Sequence, residues 1–166
     1  MENLLKEISN LAIQLGDFEF TNNQIENNWL GTSSATTEAI EKKELELKVK
    51  LPQDYIEFLK ISNGFPPTSA VDSTFLPIEE IGLLKEKDKQ LVDIWCNSGN
   101  GINEELQNAI LVTKVHEEQY FLLIPPITKN NSWQYWKFAS WIPGEEPYKN
   151  IESYFQSIKE FIQDEL

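Results

Sequence analysis

One cysteine and one histidine, Cys96 and His116, are the strongest candidates for chemistry in this chain of 166 residues. A thiol and an imidazole within hydrogen-bond reach can form a nucleophilic dyad, but nothing in the sequence brings these two residues together. Zinc requires three or four ligands, and the chain cannot supply the common Cys and His sets. The sequence therefore predicts no catalytic residue, no metal and no cofactor. An enzyme that uses Cys96 or His116 is the least supported alternative.

Paired carboxylates are the second candidates, because glycosidases use two positioned acids. The chain has 27 acidic residues, so adjacent pairs arise by chance and are better explained as solvated faces. A calcium loop from Asp93 to Glu104 is rejected, because Trp95 stands where an oxygen ligand is required and Ser98 where a glycine is required. No glycine-rich phosphate loop is present. The adjacent pairs are Glu79-Glu80, Glu104-Glu105, Glu117-Glu118 and Glu145-Glu146.

The charge balance excludes a further class of partner. The 27 acids are set against 14 basic residues, all of them lysine, and the net charge is -13. Such a chain repels phosphate backbones, so nucleic acid is not an expected partner. The absence of arginine also argues against bidentate phosphate chemistry. Two interpretations of the acidity stay open: solubility, and attraction of a partner with a basic surface.

Aromatic residues could also form a binding platform. Trp133, Trp136 and Trp141 make a row on which bases or sugars could stack. Given the negative charge, we expect them to pack in the core and to cover the sheet.

The hydropathy pattern bears on location. No apolar run approaches the ~20 residues that span a bilayer. The segment MENLLKEISNLAIQLG carries charges within its apolar run and is typical of an amphipathic helix, not of a signal peptide. A single cysteine excludes a disulfide framework. We expect a cytoplasmic protein with no membrane partner.

Four helices are predicted from apolar spacing. One covers residues 2–15, one starts at Thr36 or Thr37 and unwinds near Lys48, and one begins at Ile151. A further helix is predicted to have Pro52 at its first helical position and Asp54 in its first turn, and it is expected to stop at Asn63-Gly64. Residues 45–51 also alternate like a strand, but we favour the helix. Residues 21–34 are expected to be loop.

Strands are predicted in the second half of the chain. Ala109–Val115 and Gln119–Ile124 are nearly continuous apolar runs, so both should lie at the centre of a sheet and meet at residues 116–118. Trp133–Ser140 alternates as a further strand. Between Asp72 and Glu105 we expect a short strand, Ser73–Pro77, a helix around Lys87–Trp95 and a turn at SGNG. The segment IPGEEPYKN is expected to be turn. The pattern predicts a single α+β domain over residues 1–166, with a central, mostly antiparallel sheet packed by helices.

Two stretches of the sequence resemble a known family. An acid-containing helix, a Leu-Pro pair, an aromatic-rich helix and an Asn-Gly pair resemble the N-terminal signature of the SUKH superfamily (Smi/Knr-like domains). A later stretch, WKFASWIPGE, is similar to the part of some bacterial members that precedes their terminal helix. The resemblance spans about residues 36–164, and the first 35 residues have no clear counterpart. The residues that carry it are Leu51, Pro52, Tyr55, Phe58, Leu59, Asn63, Gly64, Trp136, Trp141, Pro143 and Gly144.

The resemblance implies a function. Bacterial members of the superfamily are mostly immunity proteins that neutralise polymorphic toxins, often nucleases, by binding them. The resemblance therefore implies that this protein is not an enzyme and that it binds a cognate toxin whose surface is basic. The alternative is a regulatory or scaffold protein that binds a host protein. The signature residues are expected to be scaffold. Surface acids and one aromatic anchor are the predicted partner-binding residues: Asp72, Glu79, Glu80, Trp95, Glu104, Glu105, Glu117 and Glu118.

Overall fold

Helices surround a small sheet in the computed structural model, which describes residues 1–97, 101–128 and 131–166. The sheet lies mainly in the second half of the chain, between helices that precede and follow it. Over the described residues the helices are α1 (Glu2–Leu15), α2 (Asn22–Asn27), α3 (Thr37–Leu47), α4 (Gln53–Ile61), α5 (Leu84–Lys87), α6 (Lys89–Asn97), α7 (Asn103–Asn108) and α8 (Ile151–Glu165). The strands are β1 (Gly82–Leu83), β2 (Ile110–Leu111), β3 (Gln119–Ile124), β4 (Gln134–Ala139) and β5 (Glu146–Tyr148).

The five strands form an antiparallel sheet in the order β1-β2-β3-β4-β5. The longest pairing joins β3 to β4, from Gln119 opposite Ala139 to Ile124 opposite Gln134. Every residue of β3 is buried, which explains why this strand is a nearly continuous apolar run without alternation. The predicted α+β fold with a central antiparallel sheet is confirmed.

Helices cover both faces of the sheet. On one face Phe121 and Leu123 join the larger core cluster, to which α1, α4 and α8 contribute. On the other face Leu122 and Trp136 join a smaller cluster with residues of α5, α6 and α7. Successive residues of β3 therefore point into two different cores, as the period of a strand requires.

The predicted helices at both ends and in the middle of the chain are confirmed. α3 begins after Thr36, whose Oγ1 accepts from the backbone N–H of Ala39. It ends at Lys48, which has left-handed backbone geometry. Residues 45–51 are therefore not a strand. α4 follows Pro52, which is the residue before the helix and not its first helical residue.

The end of α4 differs from the prediction. Ser62 follows the helix in an extended conformation, and the left-handed geometry falls two residues later, at Gly64 with φ 97°. Asn63 then makes three connections: its N–H donates to the Ser33 carbonyl, its Oδ1 accepts from the Ile78 N–H, and its Nδ2 donates to Glu79. The Asn-Gly pair is thus a joint between three segments as well as a stop signal.

Several shorter predictions were wrong. Residues 21–34 contain α2, which a capping box between Thr21 and Gln24 nucleates within a polar stretch. Ser73–Pro77 is not a continuous strand, because only Phe75 forms bridges, to Phe65 and Thr113. The expected turn IPGEEPYKN contains β5.

Between residues 80 and 115, the number and length of the helices and strands also differ from the prediction. The sequence did not indicate β1 or α7, which are only 2 and 6 residues long. The helix expected around Lys87–Trp95 is divided into α5 and α6. β2 covers only Ile110–Leu111 of the predicted 109–115. Most of the expected SGNG turn lies outside the described residues.

Candidate partner-binding site

A cleft of about 380 Å³ opens between α6 and the end of the sheet where β3 begins and β4 ends. One wall is apolar or aromatic, and the rest carries carboxylates. We call it the acidic cleft and define it by these residues: Leu91, Trp95, Phe138 and Ile142 on the apolar side, and Asp88, Glu117, Glu118 and Tyr120 on the polar side.

Asp88 and Tyr120 form the polar floor of the acidic cleft. Asp88 Oδ1 accepts from the Leu91 N–H at 3.0 Å, which caps the start of α6. Asp88 Oδ2 accepts from the Tyr120 hydroxyl at 2.8 Å, and that hydroxyl accepts from the His116 N–H at 3.0 Å. Burial raises the pKa of Tyr120, and hydrogen bonding to Asp88 acts in the same direction. Tyr120 therefore stays a hydroxyl donor at neutral pH, and Asp88 is held in place from two sides.

The two glutamates at the rim, Glu117 and Glu118, differ in how many hydrogen bonds their carboxylates accept. Glu117 accepts from the N–H of Thr74 at 2.7 Å and from its hydroxyl at 2.9 Å, and Lys114 lies 3.9 Å away. Glu118 is exposed, and its carboxylate accepts a long hydrogen bond of 3.4 Å from the Ser140 hydroxyl. Glu117 therefore connects the turn at residues 116–118 to Thr74, whereas the Glu118 carboxylate is exposed to solvent.

Trp95 provides the aromatic wall. Its ring meets Phe138 edge to face, with centroids 4.5 Å apart and planes at 77°. Phe138 belongs to the smaller core cluster, and Trp95 packs against that cluster while remaining half-buried. A rigid indole held this way is a suitable anchor for a partner, because little side-chain entropy is lost on binding.

A second cleft of about 300 Å³ lies on the other side of Gln119, which lines both. Asp72 stands in it, accepting from the Thr68 hydroxyl at 2.6 Å and from Gln119 Nε2 at 3.2 Å. Burial raises the pKa of Asp72. The exposed rings of Trp141 and Phe161 flank this cleft. Asp72 is thus a half-buried acid beside the acidic cleft, and its carboxylate is already hydrogen-bonded within the fold.

The predicted partner-binding residues are divided among several places. Trp95, Glu117 and Glu118 line the acidic cleft, and Asp72 lies in the second cleft. Glu79 and Glu80 are exposed, and the Glu79 carboxylate accepts a hydrogen bond from Asn63. Glu104 lines a separate cavity with Pro125, and Glu105 is half-buried beside it in α7.

Cys96 and His116 do not form a dyad in the described part of the chain. The Cys96 thiol is half-buried and accepts from Gln107 Nε2 at 3.9 Å. His116 is an exposed residue of the turn with φ 64°. Over residues 1–97, 101–128 and 131–166 there is no group of three or more His, Cys, Asp or Glu residues arranged to hold a metal.

The three tryptophans of the aromatic row take different positions. Trp136 is buried against the smaller cluster and Trp133 packs on the larger one, as expected of core and cover residues. Trp141 differs, with 51% of its surface exposed. Pro143 is also exposed and Gly144 has φ 99°, so this part of the signature is a surface turn. The remaining signature residues lie in the core or at the Asn63 joint.

Asp88 and Tyr120 line the acidic cleft but are not among the residues predicted from the sequence. Asp88 could have been found as the capping residue that precedes a helix, three positions before Leu91. Tyr120 had no separate signal, because it belongs to a continuous apolar strand.

Comparison with known families gives the class of this fold. The model of the SMI1 / KNR4 family (SUKH-1) matches residues 34–164. The chain belongs to this family. A search of the curated proteins finds no match. Among the described helices, none is long and apolar enough to cross a membrane.

Proposed function

We propose that this protein is a cytoplasmic immunity protein that binds a cognate polymorphic toxin and neutralises it by stoichiometric occlusion. Membership of the SMI1 / KNR4 family makes a protein-binding role the expected one. The observation that carries the proposal is the acidic cleft, where an aromatic wall and three carboxylates meet. The toxin is expected to present a basic surface, as a nuclease does.

Binding by occlusion needs no chemistry from the inhibitor. An ordinary interface buries ~800 Å² on each partner, a small part of the 8997 Å² that this chain exposes. Trp95 is suited to contribute binding energy at the centre, since aromatic residues dominate interface hot spots. The carboxylates speed the encounter and select against acidic partners.

Co-expression tests the proposal. The C-terminal domain encoded by the adjacent reading frame is expressed in a bacterial host with and without this protein, and growth is followed. We expect growth to stop with the neighbour alone and to resume when this protein is present. Catalytic inactivation of the toxin should abolish the need for protection, which is the control for non-specific toxicity.

Two results would contradict the immunity role. One is a harmless neighbour, and the other is a lethal neighbour that this protein does not relieve. Either would direct attention to the alternative class, a regulatory protein that binds a host protein.

A further inference from the structure

We propose that the acidic cleft receives one arginine side chain of the partner protein, which lies along Trp95 and pairs with Glu118 at the rim and Asp88 at the floor. The identification of the partner as a toxin rests on the proposed function. The recognition of a guanidinium by this cleft does not, so the two can fail separately.

The shape of the cleft favours a long side chain with an apolar stem. Leu91, Trp95 and Ile142 line the same space as the carboxylates. Arginine and lysine bury their methylene stems against apolar surface while the charged head reaches polar groups. A purely apolar side chain would leave the carboxylates of the lining unpaired, and an acidic side chain would be repelled by them.

The charge of the cleft favours a cation. Three carboxylates line it, and no lysine is among the described residues that do so. Lys114 lies 3.9 Å from Glu117, whose carboxylate already accepts twice from Thr74. Among the residues that the structure describes, Glu118 forms no ion pair, and its carboxylate accepts a hydrogen bond of 3.4 Å from the Ser140 hydroxyl.

Arginine matches this lining better than lysine does. Its planar guanidinium stacks on aromatic rings and donates through several N–H groups at once, whereas an ammonium is compact and strongly hydrated. Asp88 is fixed by the Leu91 N–H and the Tyr120 hydroxyl, yet each of its oxygens has a second lone pair. A second copy of this chain cannot be the occupant, because the chain contains no arginine.

The direct test uses a small probe on the whole chain. The protein is labelled with 5-fluorotryptophan, and the ¹⁹F line of Trp95 is identified by its loss in Trp95→Phe. Nα-acetyl-arginine methylamide is then titrated at low ionic strength, with the citrulline analogue as a neutral isostere. We expect the Trp95 line to shift saturably with the arginine probe, and the shift to be lost in Glu118→Lys.

The same titration can overturn the inference. An unshifted Trp95 line would do so, as would equal shifts with the arginine and citrulline probes or an unchanged response in Glu118→Lys. These outcomes do not depend on any toxin, so they leave the immunity proposal standing.

A second test uses the toxin once co-expression has identified it. We expect Glu118→Lys to weaken binding by about tenfold or more, since it places a like charge beside the arginine. Glu26→Lys makes the same change of charge on the exposed surface of α2 and should weaken binding by no more than about threefold. Equal losses in the two variants would overturn the cleft as the arginine site, even if the toxin is neutralised.

Discussion

Asn63 and Gly64 show how single residues of the signature hold distant segments together. The side chain and N–H of Asn63 reach Ser33, Ile78 and Glu79. Gly64 lies so close to the backbone of residues 75–77 that an added Cβ would stand 2.8 Å from the Phe75 carbonyl oxygen. The pair therefore holds separate segments of the fold together, and neither residue lines the acidic cleft.

Replacing Gly64 by alanine should be destabilising. The residue has φ 97°, which is strained for any residue with a Cβ, and the new methyl group meets a backbone atom that cannot move aside. We expect the free energy of unfolding to fall by about 2–3 kcal/mol, measured by urea denaturation.

Gly16→Ala is the matched control for this prediction. Gly16 also has positive φ, at 75°, but nothing lies within 4 Å of its added Cβ. Gly16→Ala should lower the free energy of unfolding only by the cost of placing a Cβ at positive φ, about 1 kcal/mol. Equal losses at the two positions would show that the approach to Phe75 contributes nothing.

At the scale of elements, one carboxylate joins α4, β4 and α8. Asp54 stands in the first turn of α4. Its Oδ1 accepts from the Tyr135 hydroxyl at 2.6 Å, and its Oδ2 accepts from the Ile151 N–H at 3.1 Å. The pKa of Tyr135 is raised by burial and by this acid, so the hydroxyl remains a donor. Asp54 thus sets the start of α8 relative to the sheet.

Asp54→Ala should loosen this junction. It leaves a part-buried hydroxyl and one N–H of α8 without their acceptor, which we expect to lower the free energy of unfolding by about 2–4 kcal/mol. Asp54→Asn, which keeps an acceptor oxygen, should lose less. Glu57→Ala, at an exposed position of the same helix, should change it by about 0.5 kcal/mol or less. Urea denaturation of the three variants measures the free energy of unfolding. If Asp54→Ala lowers it no more than Glu57→Ala does, Asp54 does not stabilise the junction of α4, β4 and α8.

The sequence predicted the elements whose signals are local and repeated. α1, α4 and α8 bury one face at helical spacing, and β3 is nearly continuously apolar after Gln119, so their types follow from the hydropathy pattern. The two residues of β1 carry too short a pattern and form a strand only because β2 lies beside them. The capping box of α2 was a local signal, but it lay in a stretch of asparagines typical of a loop.

The candidate site was predictable only in part. Residue type alone predicts Trp95, Glu117 and Glu118, and tertiary structure brings them to one cleft. The same criterion also selected Glu79, Glu80, Glu104 and Glu105, because acidity alone does not tell which acids share a surface. Asp72 illustrates the limit: its carboxylate looked like a surface charge in sequence but bonds to Thr68 and Gln119 within the fold.

At the scale of the whole molecule, the folded unit extends beyond the matched family region. α1 precedes residue 34, yet Leu5, Ile8 and Ala12 are fully buried in the larger core cluster. Lys159 of α8 pairs with Glu7 at 2.6 Å across the same contact. The N-terminal helix is therefore part of the domain, and fragments limited to the matched region would expose an apolar face.

Because the net charge is -13, we expect the rate of association with the proposed toxin to depend on salt. If the acidic surface steers the encounter, the association rate constant should fall about tenfold or more from low to physiological salt, because screening shortens the reach of the field. The dissociation rate constant should change much less. Stopped-flow measurements over a salt series separate the two. A salt-independent association rate would remove electrostatic steering from the mechanism.

The edge strands of the sheet limit how any partner can be recognised. β1 has two residues, and β5 has three, with Pro147 in its middle. Proline has no N–H to donate, and so short an edge offers few backbone groups to an incoming strand. Recognition by β-augmentation is therefore disfavoured at both edges, and so is edge-to-edge aggregation at high expression. We therefore expect the choice of partner to depend on surface side chains, which can be substituted without altering the fold.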